Sequence, residues 1–128
     1  MEKIRWLSKE AILAMHARQL AEHGGGTGLR DDGLLESAIQ RAPNKAAYEN
    51  PDIADLAAAY AYGIAKNHPF VDGNKRTSLV ASRAFLRFNG YNVKAIDKEK
   101  LETFLSLASG TLTEAELAIW FRSHIQKI

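Results

Sequence analysis

The segment Asp52-Ile53-Ala54-Asp55-Leu56-Ala57-Ala58-Ala59-Tyr60-Ala61-Tyr62-Gly63-Ile64-Ala65-Lys66-Asn67-His68-Pro69-Phe70 decides the fold class. Its apolar positions Ile53, Leu56, Ala57, Tyr60, Ala61 and Ile64 fall at the i, i+3, i+4, i+7 intervals of one helical face. The alanines among them leave room for a neighbouring helix to approach closely. Pro69 disfavours helical backbone at the residue before it, so the helix ends near Asn67 and His68 stands on a loop.

Helical patterns continue on both sides of this segment. Ser8 is suited to cap a first helix that reaches His23, with Ile12, Met15 and Leu20 near helical spacing and Gly24-Gly25-Gly26 as its break. Asp31 or Asp32 caps a second helix through Leu34, Leu35, Ala38 and Ile39, and Pro43 and Pro51 bracket a loop before the third. After Gly73 a fourth helix carries Leu79, Val80, Ala81, Ala84, Phe85, Leu86 and Phe88 round most of its circumference, the pattern of a buried bundle centre, and Asn89-Gly90 ends it. Asp97 and Thr113 open two more helices, patterned by Leu101, Phe104, Leu105 and Ala108 and then by Leu117, Ile119, Trp120, Phe121 and Ile125. Thr113 to Glu116 has the spacing of a capping box. Tyr91 to Ala95 reads as a short extended segment with no evident partner strand. The expected architecture is all-α, one compact bundle of about six helices spanning residues 1–128 as a single domain.

Composition narrows the chemistry. The chain has 128 residues, 46% of them hydrophobic, enough for one core and too few for a second ordinary domain. Seventeen basic against fifteen acidic residues leave a formal charge of +2, too mild to suggest direct nucleic-acid binding. With no cysteine, disulfide scaffolds, thiol nucleophiles and thiolate zinc sites are excluded, and a reducing cytoplasm is compatible. The opening Met1-Glu2-Lys3-Ile4-Arg5-Trp6-Leu7 turns polar too quickly for a signal peptide. Uncharged stretches such as Leu56 to Ala65 fall well below the ~20 residues of a membrane span. A soluble, cytoplasmic chain with no membrane contact is expected.

The loop after the third helix carries the candidate site. Lys75 and Arg76 lie in the first turn of the fourth helix, where the macrodipole disfavours each cation by ~0.3–1 kcal/mol. Free N–H groups at a helix start, Gly73 permitting close approach and two added cations describe an anion site, above all for phosphate. His68 can accept a proton from a hydroxyl, because a histidine near its ordinary pKa is largely neutral at cellular pH. Asp72 offers a carboxylate of the kind Mg²⁺ takes alongside phosphate oxygens and water. Asn74 can donate to a phosphate oxygen or orient the loop, and Phe70, flanked by polar residues, fits the core as the loop's anchor. Taken singly, Lys75 and Arg76 are more often a solvated helix face. Base, acid, glycine turn, amide and two cations within nine residues are a joint pattern that such readings do not produce. Lys66 and Arg83 remain open between solvent exposure and function.

At these residues the chain resembles the Fic/Doc family: His68-Pro69-Phe70-Val71-Asp72-Gly73-Asn74-Lys75-Arg76-Thr77 is similar to its signature, and Lys75 looks like the death-on-curing (Doc) branch of toxins. The likeness extends to Gly24-Gly25, Gly28-Leu29-Arg30-Asp31, Gly33-Leu34-Leu35-Glu36-Ser37-Ala38, Phe85-Leu86 and Asn89-Gly90-Tyr91. It implies a helical Fic fold and a toxin of a type II toxin–antitoxin pair. ATP with Mg²⁺ would be the reagent, His68 the catalytic base and Asp72 the metal ligand. Gly73, Asn74, Lys75 and Arg76, with Lys66, would bind nucleotide or phosphate. Fic proteins that transfer AMP carry glycine where this chain has Lys75. Doc-type members with lysine phosphorylate a Ser/Thr hydroxyl of elongation factor Tu and block translation, so phosphoryl transfer to that target is the expected activity. Departures are Leu79 in place of a second arginine, Lys66 where an arginine is found, and Val80 in place of an asparagine. No glutamate here has Ser or Thr four residues before it, so the inhibitory helix of many Fic proteins is missing and inhibition would fall to a separate antitoxin.

Three rival readings share these residues or their neighbours. AMP transfer to a protein hydroxyl uses the same site with a different leaving group. A metal-independent ribonuclease would rest on Arg18 and His23, five residues apart at the end of the first helix. A non-catalytic module would bind a partner or nucleotide only. His16 and His124 read most simply as helix residues, and no set of histidines and acids has transition-metal spacing.

Overall fold

The computed structural model describes residues 3–128; Met1 and Glu2, the first residues of the stretch read against a signal peptide, lie outside the described residues. Six helices follow one another: α1 (Lys9–His23), α2 (Asp32–Tyr48), α3 (Ile53–Asn67), α4 (Asn74–Phe88), α5 (Asp97–Ser109) and α6 (Glu114–His124). Strands β1 (Tyr91–Val93) and β2 (Ile125–Lys127) complete the described elements. Side-chain caps open α1, α3 and α6, those at Ser8 and Thr113 as expected from sequence. Ser8 accepts from Ala11 N–H, Asp52 forms a reciprocal capping box with Asp55, and Thr113 does the same with Glu116. Of the two aspartates offered for α2, Asp31 is the cap, accepting from Leu34 N–H at 3.0 Å.

The centre of the bundle is α3. Leu56, Tyr60 and Ile64 have no exposed surface, and burying an aliphatic side chain such as Leu56 or Ile64 stabilises by ~1.5–3 kcal/mol. Close approach explains its small residues: a Cβ on Gly63 would stand 3.1 Å from the Ala38 Cα of α2. The expectation that α4 is the buried centre is corrected. Its inward face is largely Asn74, Thr77, Ser78 and Ser82 with Ala81, Phe85 and Leu86, while Phe88 is half exposed.

Two further expectations are overturned. No loop begins at Pro43, because α2 runs through it to Tyr48. A mid-helix proline costs ~3 kcal/mol in isolation. Ile39 and Ala42 are buried just before it, and Lys45 beyond it pairs with Glu114 of α6, so tertiary contacts hold the last turn. The extended segment after α4 does have a partner. Tyr91, Asn92 and Val93 pair antiparallel with Lys127, Gln126 and Ile125, which makes Ile125 a strand residue instead of the end of α6.

The chain ahead of α1 is tied across the bundle. Asn89 accepts from Arg5 N–H at 2.9 Å and donates to Arg5 O at 3.0 Å, and Leu7 N–H donates to the buried Tyr60 hydroxyl at 3.1 Å. Among the described residues no helix is long and apolar enough to cross a membrane.

Candidate active site

The site grows from how α3 ends. Pro69 blocks continuation, and His68 caps the helix in the left-handed conformation at φ 53°, ψ 53°, its N–H donating to Ile64 O at 3.1 Å. It is the one non-glycine residue with positive φ among the described residues. Left-handed backbone costs a side-chain-bearing residue ~1–2 kcal/mol, so neighbours must hold it. The chain then turns through Phe70 to Gly73, which caps α4 at φ 79°.

Three groups pin this loop from inside. Asn74 is buried; its Oδ1 accepts from Phe70 N–H at 3.0 Å and its Nδ2 donates to Phe70 O at 3.0 Å. Those two contacts fix which amide atom is which. The remaining amide hydrogen therefore points at His68 Nδ1, 3.2 Å away. Of the two roles open to Asn74, loop orientation is the one its side chain serves here. Phe70 is fully buried, as its sequence context suggested, and stacks on His16 with centroids 3.7 Å apart and planes 7° apart. His16 Nε2 also donates to Asp72 O at 2.8 Å. His16 is thus a second anchor of the loop, beyond the helix role assigned to it from sequence.

A third, glycine-rich wall comes from the α1–α2 connection. Gly25 at φ 126° lies so near Asp72 that a Cβ there would fall 2.8 Å from Oδ2, and Gly26 N–H points at the same oxygen from 3.4 Å. Asp72 Oδ1 accepts from Gly73 N–H at 2.8 Å. The carboxylate stays exposed, oriented by backbone donors. No group of three His, Cys, Asp or Glu side chains among the described residues could hold a metal. A cation at Asp72 would take one protein oxygen and complete its shell from phosphate and water, which fits Mg²⁺ and not zinc.

His68, Asp72, Gly73, Asn74, Lys75 and Arg76 line one cavity of about 680 Å³, together with His23 of α1 and Leu105 of α5. Nothing caps the start of α4 with a side chain, and its first turn holds no acid. Lys75 and Arg76 are exposed there; Arg76 Nη1 approaches His23 Nε2 at 3.4 Å. Lys66 is not brought into this cavity. Its Nζ lies 5.4 Å from the Tyr62 ring centre and lines a neighbouring cavity of about 610 Å³ that shares His68. Arg18 does not join His23 at the site, since its guanidinium pairs with Glu22 at 3.0 Å in solvent. Leu79 and Val80, the positions of departure from the signature, are half-buried.

Sequence reasoning missed His16, Gly25 and Gly26 as residues of this site and offered His23 only to the rival ribonuclease reading. Only the glycine run carried a local signal, a backbone freedom whose use depended on where Asp72 came to rest.

With this geometry in view, comparison with known proteins is specific. Residues 6–86 match the Fic/DOC family. The chain is 33% identical over 117 residues to the protein kinase doc of Escherichia phage P1, an overlap spanning 90% of this chain and 91% of that protein. It is 39% identical over 105 residues to toxin Doc of Mycolicibacterium smegmatis, spanning 79% of this chain and 78% of that one. The chain belongs to the Fic/DOC family.

Proposed function

We propose that this chain is a Doc-type toxin that transfers the γ-phosphoryl group of ATP to a Ser/Thr hydroxyl of a protein, with elongation factor Tu as the target and translation as the process blocked. One observation carries the reading: His68, Asp72, Lys75 and Arg76 line one cavity at an uncapped helix start. The free N–H groups of that turn and the two cations suit a polyphosphate. The names of the two relatives, a protein kinase and a toxin, support the same reading.

His68 lines both this cavity and the one beside Lys66, so nucleotide and acceptor can reach it from different sides. The acceptor hydroxyl attacks the γ-phosphorus, its proton passes to His68, and ADP leaves. Asn74 Nδ2, 3.2 Å from His68 Nδ1, holds the ring in place for that transfer. Lys75 and Arg76 balance the phosphate charge. Mg²⁺ held by Asp72 would neutralise phosphate oxygens. A separate antitoxin is the regulator this reading implies, and the toxin name of a relative supports it.

The test is label transfer in a bacterial lysate with Mg²⁺. Label from γ-labelled ATP alone supports phosphorylation. Label from the α position establishes the AMP-transfer alternative, which shares every residue named. No label from either overturns the transferase reading.

A further inference from the structure

The Gly28-Leu29-Arg30-Asp31 segment has no part in the chemistry above, yet it meets the end of α3 through a concentrated set of contacts. Arg30 Nε donates to His68 O at 2.6 Å, and Arg30 Nη2 donates to Asn67 O at 2.8 Å. The backbone N–H groups of Arg30 and Asp31 both donate to Pro69 O, at 2.7 and 3.1 Å, and Val71 N–H donates back to Gly28 O at 3.1 Å. Leu29 and Phe70 form an isolated antiparallel bridge. Three successive carbonyls, those of residues 67, 68 and 69, therefore take donors from two residues of another segment.

His68 needs such support more than any other residue of the loop. It occupies left-handed backbone although it bears a side chain, and it precedes a proline, which by itself favours extended backbone. The carbonyls at a helix end have no partner within the helix, and a cation there is favoured by the macrodipole. The planar guanidinium can serve two carbonyls at once; a lysine ammonium on a flexible stem lacks that fixed fork.

We propose that Arg30 is a positioning residue: by clamping the carbonyls of Asn67 and His68 it holds His68 in its left-handed conformation and so aims the imidazole at the acceptor. The proposal rests on the reading of His68 as the base. Arg30 does not line the phosphate cavity, so its effect falls on the rate of transfer and not on nucleotide affinity.

The variants Arg30→Gln and Arg30→Lys, in the full chain, separate these effects. A misplacement near 1 Å can cost ~10²-fold in rate. At saturating Mg·ATP, label transfer to lysate protein should fall at least ~10-fold in both variants, while Mg·ATP affinity by titration calorimetry stays within about twofold of wild type. Unchanged transfer overturns the proposal, as does a loss of transfer matched by an equal loss of ATP affinity. Amide hydrogen exchange keeps the test independent of the transferase reading. Phe70 and Val71 should exchange at least ~10-fold faster in Arg30→Gln with the middle of α3 still protected. If wild type transfers no label but this exchange pattern appears, the transferase reading fails and the clamp stands. Unchanged exchange, or exchange raised equally throughout α3, overturns the clamp.

Discussion

At the start of α3, Asp52 accepts from Asp55 N–H at 2.9 Å and Asp55 accepts from Asp52 N–H at 3.0 Å. Arg122 of α6 closes over both acids at 2.7 and 3.0 Å. At the start of α4, the helix beside it, the cap is a glycine, no side chain accepts from the first turn, and Lys75 and Arg76 occupy the positions where acids belong. The first start is completed by its own chain. The second has no side-chain cap and no acid of its own, and it is the one beside His68 and Asp72, where the proposed function puts an anion. Where local helix rules are kept, the residues serve the fold; where they are broken without an internal remedy, the fault marks the site.

The largest effect should come from removing the proposed proton acceptor next to the open start. His68→Ala is expected to lower transfer by ~10²–10⁴-fold, measured as label incorporation, since general-base catalysis contributes that much. Its unfolding midpoint should stay near wild type, because the ring is exposed and alanine, like histidine, brings a Cβ to the left-handed turn. A large loss of stability with the loss of rate would mean that His68 holds the loop instead of acting on substrate.

A subtler change makes the two starts alike. Lys75→Glu places an acid in the first turn of α4, as in α3. The apoprotein should gain ~0.3–1 kcal/mol in urea unfolding at low salt. Affinity for Mg·ATP should fall ~10-fold or more, because like charges would then meet. Gain of stability with loss of binding is the signature of a start left open for a ligand; loss of both would place Lys75 in the fold.

The α3 start can be tested from its own side by acid. The Asp52 carboxyl is held at about 2, down from its ordinary 3.8, chiefly because Arg122 donates to it, while burial pulls the other way. An acid lowered in the folded state contributes stability above pH ~3.8 and loses it as the pH falls toward 2. Asp52→Asn keeps a capping side chain and removes the charge. The wild-type advantage over this variant should be present at pH 6 and shrink between pH ~4 and ~2. It should stay within about 1 kcal/mol, because Asp52 and Arg122 are each about half exposed. An advantage independent of pH would assign the stabilisation to the cap alone.

The same contrast explains what could be read from sequence. Ser8 and Thr113 announce their helices because a cap and the N–H that donates to it lie within three residues. Lys75 and Arg76 announce a site because their conflict with the macrodipole is equally local. His16 gave no such sign: its partners Phe70 and Asp72 lie more than fifty residues away, and only the folded chain stacks one ring on the other. Pro43 misled for the complementary reason, since a local rule predicted a break that the burial of Ile39 and Ala42 overrode. The strand at Ile125 continued the apolar pattern of α6 and could be separated from it only by its pairing with Val93.

The smallest expected effect examines the open start from within. Thr77, one turn into α4, is fully buried, and its hydroxyl has no hydrogen-bond partner among the described residues. Valine has nearly the same shape without the polar atom. Relieving an unpaired buried hydroxyl should make Thr77→Val neutral or more stable by up to about 1 kcal/mol. Mg·ATP affinity should be unchanged, since Thr77 does not line the phosphate cavity. Its backbone N–H already donates to Gly73 O at 3.0 Å. If Thr77→Val instead lost ~1 kcal/mol or more, the hydroxyl would have a partner in solution, with the Gly73 carbonyl or a buried water as the nearest choice. The first turn of α4 would then be braced by its own side chain. Its openness would be confined to the N–H groups facing Lys75 and Arg76, and the contrast with α3 would narrow to those few donors.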